Sequence, residues 1–270
     1  MKKILIMVIT MISMLGFSKI INYDNGDKED VNIVNGEKQG KTTYYYKNGT
    51  IEKANYVKGF LQGKGIFYYV NGDKEVYNYV DNVLQGKRTY YTKSGDKEES
   101  IFVNGKIQGN AVYYYRNGSK EKYKYVDGKK QGKRVYYYSD GTREEAIYIN
   151  GILQGKAILY FTNGDKEKYS YVNNKKQGNR TYYYSNGTRQ EAIYINGVLQ
   201  GKAIQYYTNG DTHKFTYVNG VKQGNSIYYY SDGSREEATY INGVLQGEAI
   251  EYHKDGKIKK GIYKNGKLLN

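Results

Sequence analysis

The sequence predicts an all-β protein, an elongated, twisted antiparallel β-meander built from tandem 23-residue β-hairpin repeats. Three observations carry that expectation. The dipeptide Gln-Gly recurs every 23 residues from Gln39-Gly40 to Gln246-Gly247, ten times without insertion or deletion. Asn-Gly and Asp-Gly dipeptides sit between the runs that separate these marks, and they are strong hairpin signals. The runs themselves, such as TYYYS and REEAIYI, are rich in aromatic and β-branched residues, show no helical period and contain no Pro.

The first 18 residues read as a signal peptide. Lys2 and Lys3 form a basic start, Ile4 to Phe17 an apolar run, and Gly16 and Ser18 supply the small residues for cleavage after Ser18. The run is short for a transmembrane helix, which argues against stable membrane insertion. No Cys follows it, so the chain is not expected to be a lipoprotein. Export to the periplasm, the cell surface or the medium is the expectation. Loss of Lys2 and Lys3 takes the formal charge from +15 to +13 (15 − 2), a balance that favours anionic partners.

Residues 19–39 then read as an N-terminal half-repeat cap and residues 40–269 as the ten repeats. Within a repeat, Asn163-Gly164, Asn186-Gly187 and Asn209-Gly210, like Asp140-Gly141 and Asp232-Gly233, are expected to form two-residue type I′ turns. A second connection, Asn196-Gly197 through Gly201, leads to the next hairpin. A 46-residue period overlies the shorter one, since the stretches from Lys120 and from Lys166 are near-copies. The chain has no Cys, and so no disulfide and no thiolate site.

A two-residue turn at Asn186-Gly187 sets Ser185 opposite Thr188, Tyr184 opposite Arg189 and Tyr183 opposite Gln190. Thr181, Tyr183, Ala192 and Tyr194 then share one face, expected to be the regular, covered one. Its first Tyr recurs in every repeat, from Tyr45 to Tyr252. One position on that face alternates small and large: Ala54, Tyr77, Ser100, Tyr123, Ala146, Tyr169, Ala192, Phe215, Ala238. The expectation is that rings pack over small neighbours. The other face gathers Arg180, Tyr182, Tyr184 and Arg189, with the equivalent cluster Arg134, Tyr136, Tyr138 and Arg143. These eight residues are the candidate partner-binding set. Each Gln of the Gln-Gly column is expected to bond the backbone of its own loop.

These residues resemble the MORN repeat, particularly the shorter MORN-variant repeats common in bacterial proteins. The match runs from Tyr194 through Asn196-Gly197 and Gln200-Gly201 to Tyr206 and Gly210, and it covers about residues 22 to 268. The chain departs from the family pattern in two respects. Gln stands in place of the usual His, and the second Gly of a Gly-x-Gly pair survives only in Gly63-Lys64-Gly65. The resemblance implies a β-hairpin scaffold, and some variant proteins of this kind resemble antitoxin or immunity components.

No catalytic set emerges. His213 and His253 fall at unlike positions of their repeats and read as packing or surface residues. Glu144, Glu145, Glu236 and Glu237, beside Arg143 and Arg235, read as surface charge pairs. There is no metal-ligand spacing and no cofactor motif. The chemistry points to a non-enzymatic, tyrosine-rich and basic interaction scaffold whose partner is a protein or an anionic cell-surface polymer. A glycan- or cell-wall-binding module and a neutralising antitoxin-type partner are the alternatives, and a homodimer that covers the exposed rings is a further arrangement. The leader argues against nucleic acid.

Overall fold

The computed structural model describes residues 17–269. The leader falls almost wholly outside the described residues. Its expected cleavage point, Ser18, stands in the strand Phe17–Asn22, where Ser18 Oγ donates to Asp30 at 2.6 Å. All regular structure among the described residues is β, with no helix.

The chain forms two compact units, residues 17–116 with 125–128, and residues 117–124 with 129–269. Each is an antiparallel meander. In the first, Phe17–Asn22 pairs with Lys28–Val34, and the ladder continues strand by strand to Lys97–Val103 with Lys106–Tyr114. In the second it runs from Gly132–Tyr137 with Arg143–Ile149 to Ile258–Lys264 with Lys267–Leu269.

Two kinds of turn alternate along each ladder. At Asn186-Gly187, Gly187 N–H donates to the Tyr184 carbonyl at 3.0 Å and Tyr184 N–H to the Thr188 carbonyl at 2.9 Å. The loop is therefore three residues, Ser185-Asn186-Gly187, a type I turn closed by a left-handed Gly187 at φ 88. Asn186 Oδ1 accepts from Thr188 N–H at 2.9 Å and braces it. The two-residue turn lies in the other connection. Asn196 (φ 53) and Gly197 (φ 88) are both left-handed, between the opposed pair Ile195 and Val198. The Gly of Gln-Gly, such as Gly178 at φ 76, marks a bulge after that turn.

The expected register is therefore corrected by one residue. Tyr183 opposes Arg189, Tyr182 opposes Gln190, Thr181 opposes Glu191 and Arg180 opposes Ala192. Because side chains alternate, that single step moves each residue of one strand to the other face. Arg180, Tyr182, Gln190, Ala192 and Tyr194 share the covered face. Thr181, Tyr183, Arg189, Glu191 and Ile193 share the open one.

The small–large alternation belongs to the covered face, and its complement lies directly across each strand pair. Arg134 opposes Ala146, Ala157 opposes Tyr169, Arg180 opposes Ala192 and Ala203 opposes Phe215. Across these four pairs a long side chain faces a short one, and the two strands exchange roles from one repeat to the next. Ala146, Ala157, Tyr169 and Tyr194 form one buried cluster, and Ala192, Ala203, Phe215 and Tyr240 another.

The two turn types give a direct check on the register. Asn196→Ala should cost about 1–2 kcal/mol in urea unfolding, because Ala is strained at left-handed φ. Asn186→Ala, at a position that is not left-handed, should cost about 0.5 kcal/mol through its lost brace. The reverse order would restore the two-residue turn at Asn186-Gly187.

Candidate functional site

On the covered face one position holds a carboxylate in each successive repeat: Glu29, Glu52, Glu75, Glu98, Glu121, Glu144 and Glu167. All seven are buried. Gln190 and His213 continue the column, also buried, and Glu236 follows, half-buried. A charge withdrawn from water is costly unless donors meet it. Here they come from the arginine and tyrosine positions of the same repeat and of the next.

Arg134 shows the arrangement. Its Nε donates to Glu121 Oε1 at 2.5 Å and its Nη1 to Glu144 Oε2, so one guanidinium joins the carboxylates of two consecutive repeats. Arg88 does the same with Glu75 (2.6 Å) and Glu98 (2.9 Å). Arg180 bridges Glu167 (2.7 Å) and Gln190 (2.5 Å). Tyrosines of the following repeat complete the shells. Tyr148 donates to Glu121, Tyr171 to Glu144 and Tyr194 to Glu167, each at 2.7 Å, and Tyr169 also donates to Glu144. Lys130 and Lys176 add an ammonium to Glu121 and Glu167. Burial pushes the carboxyls of Glu121 and Glu167 up, but these cations and hydroxyls outweigh it and hold both below the usual range. Burial and the adjoining Glu144 push the Tyr169 phenol far up, so it remains a donor.

Glu144 is therefore a buried network residue, not half of a surface charge pair, whereas its neighbour Glu145 does lie at the surface, paired with Arg143 and Lys133. A second stitch joins neighbouring hairpins. Asp165 Oδ1 accepts from Ser185 N–H at 2.7 Å, and its Oδ2 from Tyr182 Oη at 2.6 Å. A third comes from the Gln column. Gln177 Oε1 accepts from Asn196 N–H at 2.8 Å, and Gln131 and Gln223 do the same for Asn150 and Asn242. Each of these Gln residues thus bonds the turn of the following hairpin rather than its own loop.

The eight candidate partner-binding residues are divided by the sheet. Arg134 and Arg180 are buried in the carboxylate network, with Tyr136 and Tyr182 against their guanidinium groups, both at 4.8 Å. Tyr138 and Tyr184 continue those stacks toward the loops, at 4.5 and 4.6 Å from Tyr136 and Tyr182, and Tyr138 is exposed. Arg143 and Arg189 project from the opposite face. There they meet the tyrosines that recur in every repeat, which were expected in the core. Arg143 lies over Tyr160 at 4.4 Å, Arg189 over Tyr206 at 4.5 Å and Arg235 over Tyr252 at 4.0 Å. Lysines take the same place over Tyr91, Tyr114, Tyr137 and Tyr183, and Lys53 and Lys214, two residues further along their strands, lie over Tyr68 and Tyr229. Beside them run exposed aliphatics that flank the two-residue turns, among them Ile149, Ile152, Ile195 and Val198.

His213 is the one imidazole in the column. Burial first, and then the charge of Lys222, hold its pKa down to about 4. An imidazole depressed in the folded state stays neutral there while the unfolded chain takes up a proton near pH 6.5. Its contribution to stability is therefore whole above about pH 6.5 and is lost between about pH 6.5 and 4. His213→Gln, matching Gln190 one repeat earlier, should flatten the fall in melting temperature between about pH 7 and pH 5. An unchanged slope would show that another group titrates.

The MORN repeat profile matches residues 32–51, 54–74, 99–120, 124–143, 145–166, 170–189, 191–212 and 216–235, more than half of the chain. No curated protein sequence matches. Similar solved structures include the TCP domain of Drosophila melanogaster SAS-4 in complex with a proline-rich motif of Ana2. It is 15% identical, with 66% of this chain and 90% of that chain covered and a TM-score of 0.34. The G-box domain of the microcephaly protein CPAP is 14% identical, with 83% and 100% covered and a TM-score of 0.25. Likenesses this distant carry no functional argument. The repeated match, the unbroken period and the hairpin ladder agree: the chain belongs to the MORN-repeat family.

Proposed function

We propose that this chain is an exported, non-enzymatic scaffold that binds a protein or an anionic cell-surface polymer across its open face. MORN repeats are protein- and membrane-interaction modules, and that is the ground on which the finer reading stands. The observation that carries it is the column of tyrosines from Tyr68 to Tyr252, each beneath a lysine or arginine. A cation held on a ring keeps its charge toward solvent while the ring adds apolar contact area. The neighbouring row of half-exposed Val and Ile supplies further apolar contact.

One such patch is small and exposed, so it binds weakly alone, whereas several engaged together gain through multivalency. Of the candidate set, Arg143 and Arg189 fit this role, while Arg134 and Arg180 serve the fold. The net positive charge and the basic, apolar start of the chain support the export and anionic-partner parts of the reading.

Two measurements on one set of proteins test this. Fractionation should place the native protein outside the cytosol. Its retention on immobilised polyglutamate should weaken with added salt and fall steeply when Arg143, Arg189 and Arg235 are all changed to Ala, with little change in melting temperature. A cytosolic protein would refute export, and undiminished retention would refute the open face.

A further inference from the structure

The arginines that bridge carboxylates recur at 46-residue intervals: Arg88, Arg134 and Arg180. The next member of that series is Ser226. Its short side chain reaches only the Ala238 carbonyl, at 3.3 Å. What surrounded the guanidinium in the earlier repeats is still present. Glu236 stands where Glu144 meets Arg134, and Tyr228 stands where Tyr136 and Tyr182 lie against their arginines. A cavity of about 220 Å³ fills the place of the missing side chain, lined by His213, Ser226, Tyr228, Tyr230, Glu236 and Tyr263 among others.

Glu236 is also the least satisfied carboxylate of its series. Its Oε1 accepts from Tyr263 at 2.9 Å, and its Oε2 has a long contact from Tyr230 at 3.4 Å. Glu144, by comparison, receives a guanidinium and two phenols. Gly261 stands where Tyr169 approaches Glu144, so the second of those phenols has no counterpart here. Glu236 is the carboxylate among the residues lining the cavity, and burial, then the charge of Lys222, hold the His213 pKa down to about 4. Lys222 lies over Phe215 and Tyr240, at 4.1 and 5.0 Å.

The geometry points to this cavity as a binding site for a guanidinium group, paired with Glu236 and stacked on Tyr228. A planar, weakly hydrated guanidinium suits the site better than a compact ammonium, because the carboxylate and the ring are placed for a flat, forked donor. The volume is small for a drug-sized ligand and matches a single side chain or a small organic cation. The group comes either from a free guanidinium compound or from an arginine side chain of another polypeptide. The site lies on the covered face and does not depend on the open-face reading.

The test is NMR titration of the full chain with methylguanidinium, with blocked arginine (acetyl-arginine-amide) and with an arginine-containing tripeptide. Methylammonium and urea serve as controls. Saturable shifts near Tyr228 and Ser226 are expected with the three guanidinium compounds, weaker ones with methylammonium and none with urea. Tighter binding of the tripeptide than of methylguanidinium identifies an arginine of another chain as the source, and equal binding a free compound. Ser226→Arg should supply the group internally, abolish these shifts and raise the melting temperature. Glu236→Gln should also abolish them. Shifts that do not saturate, or that urea reproduces, overturn the proposal. So does a Ser226→Arg protein that melts lower than the wild type or still binds methylguanidinium.

Discussion

From Glu29 to Glu167 the chain buries seven successive carboxylates, and each draws donors from beyond its own repeat. The buried face has little aliphatic mass, and its side chains are held by charge and hydrogen bonds as much as by apolar contact. Glu121 needs Arg134 and Tyr148 from the following repeat, and Glu144 needs Tyr169 and Tyr171. Inserting or deleting one residue would carry those donors to the other face and leave a buried charge unmatched. This explains why the 23-residue interval is unbroken. The 46-residue period follows from the same demand, because a long arginine needs a small residue opposite it and an aromatic ring needs the same on the other strand.

With the covered face committed to joining neighbours, the open face is free of that duty. Its tyrosines are held by cations of adjacent strands rather than by a core, and its aliphatics remain in contact with water. A one-layer sheet thereby separates what holds the repeats together from what they present. The same separation accounts for the split of the candidate residues. Arg180 and Arg189 lie close in sequence, yet one neutralises Glu167 and the other caps Tyr206 at the surface.

The β-hairpin architecture and both periods were legible in the sequence, because turn dipeptides and strict recurrence are local signals. The faces were not. Both connections carry Asn-Gly, and the dipeptide does not reveal whether its Asn is the second residue of a three-residue loop, as at Asn186, or the first of two, as at Asn196. That single step inverted the assignment of Tyr183 and Arg180. The carboxylate column was also within reach, since glutamate recurs at 23-residue intervals from Glu29 to Glu167. The pair Glu144-Glu145 concealed it, because adjacent acids beside Arg143 read as one surface cluster although alternation sends them to opposite faces. A charged residue that repeats as strictly as an aromatic one is itself a sign of burial.

The central claim is that the buried carboxylates from Glu29 to Glu167, held by donors from neighbouring strands, tie one repeat to the next. Urea unfolding of Glu144→Ala and Glu145→Ala tests it most directly, since the two positions are adjacent and carry the same side chain. Loss of the buried partner at Glu144 should cost about 3–5 kcal/mol, by leaving the Arg134 Nη1 arm and two phenols without their acceptor. Loss of the surface carboxylate at Glu145 should cost under about 1 kcal/mol. Equal losses, or a larger one at Glu145, would contradict the account.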